Sequence, residues 1–162
     1  MDSPDQSRPD VSSNQKLASG LAAGAAVLCF LPWFEIKFSG EMGQVFQSLA
    51  QSSHAQMNTS ATGFQFTEGI LAFIAAVVAA AATPASASGL LPMDRGRSAL
   101  TTLSASALAL LCMVVFLGRS SSGTTTGMGV SGGQTPWFFL ALILASGATF
   151  LAYRECRALQ ST

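Results

Sequence analysis

Four apolar stretches, 17–34, 66–83, 98–117 and 136–153, constrain this chain more than anything else in it. Each runs 18 to 20 residues, about 27–30 Å as an α-helix, which matches a hydrocarbon core of about 30 Å. Glu68 is the one charge inside them. Charged residues make up 10% of the chain and hydrophobic ones 49%, whereas soluble domains carry roughly a quarter charged. A buried bundle in a soluble protein is the alternative, but four such segments in 162 residues leave almost no polar face for water. The pattern predicts an all-α membrane protein: a four-transmembrane-helix bundle over 17–153, with the lipid bilayer as its first partner.

The leader 1–16 is polar and reads as a disordered cytoplasmic tail, as does 154–162. No small-residue cleavage site follows the first apolar run, so that run reads as a retained helix rather than a secretory signal. Lys and Arg set the orientation. Six of the eight, Arg8, Lys16, Arg95, Arg97, Arg154 and Arg157, fall on the side shared by both tails and the 84–97 loop. Lys37 and Arg119 fall on the other. Both termini are therefore expected inside, with 35–65 and 118–135 outside. Trp33 and Trp137 are expected as membrane-interface anchors on the outer side and Tyr153 on the inner. Thr135-Pro136 reads as a capped helix start and Thr83-Pro84 as a helix stop.

At Phe34 the period changes. Phe34, Ile36 and Phe38 alternate with Glu35, Lys37 and Ser39 as a half-buried strand does. TGFQFT alternates again, with Phe64 and Phe66 on one face. Between them Met42, Val45, Phe46 and Leu49 fall at i, i+3, i+4 and i+7, one helical stripe. The outer loop is thus expected to fold as strand, short amphipathic helix, strand, a small extracytoplasmic β-hairpin cap whose apolar residues form the candidate interaction surface. An unstructured loop with chance alternation is the alternative. The second outer loop, rich in Gly, Ser and Thr, reads as flexible, with TTTGMGV able to add an edge strand.

An LPW at the outer end of the first helix, the alternating strand after it, and a second strand around Thr62-Gly63-Phe64 resemble small, uncharacterised bacterial four-helix membrane proteins. The layout is also similar, more distantly, to the claudin-like tetraspan plan. That resemblance implies a sheet-capped four-helix fold and a bacterial inner (plasma) membrane. The claudin first-loop cysteine pair is absent here, so barrier or adhesion function does not carry over.

Chemistry has little to work with. His54 is the single histidine and reads as solvated. No His, Cys, Asp or Glu cluster has metal-ligand spacing, and no Gly-rich phosphate loop follows a strand. No catalytic residue, metal or cofactor is expected, and a net charge of zero gives no footprint for nucleic acid. Glu68 reads as an interfacial acid at a helix N-terminus, with an ion- or proton-handling group as the alternative. Cys29 and Cys112 fall at similar depth, as buried thiols or a bridged pair. Cys156 lies between Arg154 and Arg157, and Asn58-Thr59-Ser60 matches a glycosylation acceptor. Small residues supply the packing signal: Gly20 and Gly24, the row Ala72, Ala76 and Ala80, the row Ser98, Thr102 and Ser106, and Ser146-Gly147. They either close the bundle on itself or receive another protein's helix. The function expected is therefore a non-enzymatic membrane protein acting through self-association or as a subunit of a membrane complex. The alternative is a small transporter or channel subunit using Glu68 and the Thr102/Ser106 face.

Overall fold

The computed structural model describes residues 11–38, 43–45, 48–49, 52, 59–91, 93–121 and 130–161. It is helical, with a small sheet at one end. The order is α1 (Ser13–Leu28), β1 (Pro32–Phe38), β2 (Ser60–Thr62), a 3-10 turn (Gly63–Gln65), α2 (Thr67–Ala87), α3 (Arg95–Ser121), β3 (Val130–Gln134) and α4 (Pro136–Gln160). Three helices, α2, α3 and α4, are long and apolar enough to cross a membrane.

The helix bounds differ from the apolar stretches for local reasons. α1 begins upstream of Leu17, taking in residues 13–16 of the expected tail, because Ser12 and Gln15 form a capping box: each side chain meets the other's backbone N–H, at 3.2 and 3.4 Å. It ends at Leu28, earlier than expected, because Pro32 already starts β1 and cannot extend a helix. α2 does not stop at Pro84; the proline sits in its last turn and the helix runs on to Ala87, closing with Gly89 at φ 75°. Thr135 precedes α4 as expected, but its hydroxyl does not cap the helix; it donates to the Pro32 carbonyl and ties β1 to the start of α4.

Each helix packs on its neighbours in chain order, and α4 closes the ring on α1. The interior is built of small residues: 16 of the 23 buried apolar residues described are alanine. Leu, Ile, Val and Phe face outward instead, among them Ile74, Leu108, Leu111, Ile143 and Phe150, each more than half exposed. This inverts the distribution of a water-soluble domain, where large aliphatic side chains fill the core. Small residues let the backbones approach closely. On the α1–α4 seam the contact is reciprocal: a methyl on Gly24 would meet Leu144 Cδ1 at 3.0 Å, and one on Gly147 would meet Leu21 Cδ1 at 3.1 Å. Ala72 and Ala76 are buried and Ala80 partly so. Gly20 departs from the expectation: it is exposed, with open space where its Cβ would be, because it points away from both neighbouring helices.

The sheet has the order β2-β1-β3, all antiparallel, so the first strand in the chain lies in the middle. Ile36 pairs with Gly132 and Phe38 with Val130, while Phe34 pairs with Ala61 and Gln134 on its two sides. The second strand is shorter than the alternation of TGFQFT suggests: it stops at Thr62, and Gly63 opens a 3-10 turn. Gly63 lies where the chain passes close to its neighbours. A side chain on Gly63 would come within 2.9 Å of the Cys29 carbonyl and 3.0 Å of the Trp33 ring. The third strand follows α3 in the chain, at Val130–Gln134; of the expected TTTGMGV stretch Val130 belongs to it, and the other residues lie outside the described ones.

Candidate functional site

The sheet end of the bundle is an aromatic plug. Trp33 packs against Phe116 and Phe138 at centroid distances of 5.6 and 5.3 Å, and Phe66 against Phe116 at 4.7 Å. Phe30, Phe64 and Phe73 form a second trio beside it. Trp33 is not an interface anchor. It is fully buried, and its indole N–H donates to the Leu28 carbonyl at 3.1 Å, an oxygen that also accepts from the Leu31 N–H at 3.2 Å. Trp137 and Tyr153, by contrast, are 46% and 52% exposed. Phe34, Phe64 and Phe66 depart from the expected interaction surface in the same way as Trp33: they pack against the apolar cluster that contains it. The alternation at Phe34 works because the Phe34 ring lies over Gly132, where any Cβ would sit 2.7 Å from its tip.

What remains of the candidate surface is Ile36, Val45 and Leu49, all exposed, with Phe38 partly buried. Residues 43–45 and 48–49 are helical. Ser48 and Ser52 hydroxyls donate to the Val45 and Leu49 carbonyls at 2.9 and 3.0 Å. Met42 and Phe46, the other half of the stripe, lie outside the described residues, as do His54 and Asn58.

Glu68 stands in the first turn of α2 and is ion-paired with Arg119 near the end of α3. Its side chain keeps 16% of its surface, that of Arg119 75%. Phe66, Thr67, Phe116 and Ser120 complete an open cleft of about 320 Å³ around the pair. Gly69, one residue after Glu68, is held against Gly63: a methyl there would collide with the Gly63 carbonyl. The strand-to-helix corner that presents Glu68 is thus fixed by two glycine backbones in contact.

The opposite end of the bundle is polar. Arg95, first residue of α3, grips the Glu155 carboxylate of α4 through Nε at 3.2 Å and Nη2 at 2.8 Å. Glu155 is 3% exposed. Gln15, equally buried, donates to the Arg95 carbonyl at 3.5 Å and brings α1 into the cluster. Above it Ser98, Thr102 and Ser106 form a buried hydroxyl row on α3. Thr102 and Ser106 each donate to the carbonyl four residues back, at 3.0 and 2.7 Å, while Ser98 reaches across to the Ala82 carbonyl of α2 at 3.4 Å. The reading of 154–162 as a tail missed Glu155. The signal was present: Ala141, Ala145, Ala148, Ala152 and Glu155 continue one 3–4 spaced stripe inward.

Cys29 and Cys112 both lie in the apolar cluster beneath the sheet and all three cysteines are free thiols. Among the described residues no group of three His, Cys, Asp or Glu side chains could hold a metal ion. No protein-family model, curated protein or solved structure matches this chain, so its site is defined by its own geometry.

Proposed function

We propose that the chain is an integral membrane protein of four spans, α1 to α4, that acts without catalysis by binding a second copy or the subunit of a membrane complex through its outer cap. The inverted packing carries this: alanine inside, large aliphatic side chains outside. α1, at 16 residues, is about 24 Å long, and the turn after it makes up the remaining depth. Most of the small-residue positions pack within the bundle, Gly20 and Ser146 being exposed; the contact surface is assigned to the outer cap, where Ile36, Val45 and Leu49 stay exposed beyond the aromatic plug. The basic residues favour both termini on the cytoplasmic side, and the resemblance favours a bacterial inner membrane.

The test is purification in mild detergent with a tag at the C-terminus, followed by sizing and identification of what travels with it. A discrete oligomer or stoichiometric partner is expected, lost on Val45→Ser with Leu49→Ser while membrane insertion persists. A monomer without companion overturns the contact but leaves the spans standing.

The buried hydroxyl row of α3 favours a second reading, a small transporter or channel subunit with Glu68 at its outer end. Thr102 and Ser106 spend their hydroxyl protons on their own helix, which argues for structure over conduction. Ion flux in liposomes that disappears with Glu68→Gln in a folded protein would favour transport.

A further inference from the structure

We propose that the Glu68–Arg119 cleft holds the headgroup of a phospholipid carrying both a phosphate and a primary ammonium group. The inference rests on the membrane reading above. The cleft lies where the apolar helix surface gives out: Ile70, Leu71 and Ile74 on α2 and Leu111, Val114 and Val115 on α3 are exposed in the turns below it. Those side chains suit acyl chains, and the cleft above them is the first polar feature a lipid would meet.

Its two charges are of opposite sign and side by side, the arrangement that complements a zwitterionic headgroup. Arg119 meets Glu68 through one terminal nitrogen, Nη1. A guanidinium has five N–H donors in a planar fork, so the remaining ones face a side chain three-quarters exposed and can take a phosphate bidentately. Glu68 offers carboxylate lone pairs to an N–H donor, which a primary ammonium has and a trimethylated one lacks. Phe66 and Phe116 wall the cleft and Thr67 and Ser120 line its rim, and a volume of about 320 Å³ accommodates a group of phosphoethanolamine size.

The test uses the full chain reconstituted in nanodiscs with equal parts of ethanolamine, choline and glycerol phospholipids, and retained lipids are identified by native mass spectrometry. Retention of the ethanolamine lipid about fivefold above the choline lipid is expected, the scale of one exposed ion pair. Arg119→Gln and Glu68→Gln should each abolish the preference, with helicity by circular dichroism as the check on folding. If either variant does not fold, Thr67→Trp, an exposed position at the rim, fills the cleft while leaving both charged side chains in the chain and should do the same. Equal retention of all three lipids overturns the inference, as does dominance of the anionic glycerol lipid, which would mean Arg119 acts alone. Alkaline carbonate extraction separates the two levels: a chain that leaves the membrane fails the membrane reading, whereas one that stays without lipid preference fails only this inference.

Discussion

Arg95 holds the buried Glu155 carboxylate through two nitrogens, joining the first residue of α3 to the last turns of α4. A carboxylate enclosed to this degree is tolerable only while paired. Arg95→Ala removes the partner and leaves the charge, so it is expected to destabilise the bundle by about 2 kcal/mol, less than the full cost of breaking a buried pair because Arg95 itself is 42% exposed. Glu155→Gln keeps the shape and removes the stranded charge, so the double variant should recover part of the loss. Thermal unfolding in detergent measures both, and equal melting of Arg95→Ala and wild type would show that the pair contributes nothing.

Two glycines should respond in opposite directions. Gly69→Ala drives a methyl into the Gly63 backbone, and a loss of about 1–3 kcal/mol is expected from overpacking. Gly20→Ala meets open space in a helix interior, and a gain of about 0.5–1 kcal/mol follows from the lower cost of ordering alanine. The same unfolding assay on the two variants reads the contrast. A loss at Gly20 would mean that another helix covers that face in the assembled protein.

The two tryptophans should differ in access and in cost. In single-tryptophan proteins, Trp33 fluorescence should resist aqueous quenchers while that of Trp137 is quenched. Trp33→Ala is expected to lose about 3–5 kcal/mol, the range for emptying a large aromatic site. Trp137→Ala, on an exposed ring, should lose far less. Similar quenching of both would contradict the buried position of Trp33.

Thiol labelling sorts the cysteines. Cys29 and Cys112 are buried, and Cys156 is partly exposed near the polar end, away from the sheet. A maleimide should modify one thiol in the folded protein and three after denaturation. With a membrane-impermeant reagent the single thiol should react only from the side that carries the tails, which also checks the orientation. Mild oxidation should leave Cys29 and Cys112 unbridged.

Much of this was legible in the residues. Segments of 18 to 20 apolar residues announced the helices, since few other patterns are so long. Ala72 and Ala76 announced a close-packed face through their spacing, and Phe34 to Phe38 announced the first strand. Three failures share a cause: each depended on a partner far away in sequence. Trp33 has the composition of an interface anchor, but Phe116 and Phe138 enclose it. Phe64 and Phe66 alternate as a strand would, yet the chain enters a 3-10 turn at Gly63, where it passes so close to the Cys29 carbonyl and the Trp33 ring that no side chain fits. The Glu68–Arg119 pair joins residues 51 positions apart, and no local period reports such a meeting. Gly20 shows the converse, since a small-xxx-small spacing says that a close approach is possible and not which glycine makes it.

The middle strand of the sheet is the first one synthesised. β1 leaves the ribosome with neither neighbour; β2 follows at Ser60–Thr62 and β3 only at Val130–Gln134, immediately before α4. Until then one edge of β1 has open backbone donors and acceptors, the feature that recruits foreign strands. Completion of the cap is thereby tied to arrival of the last helix: Thr135 bonds back to Trp33 and Pro32 at the moment α4 begins. A nascent or truncated chain that ends before Val130 therefore displays an unfinished sheet, with one edge of β1 open to any factor that binds exposed strand edges.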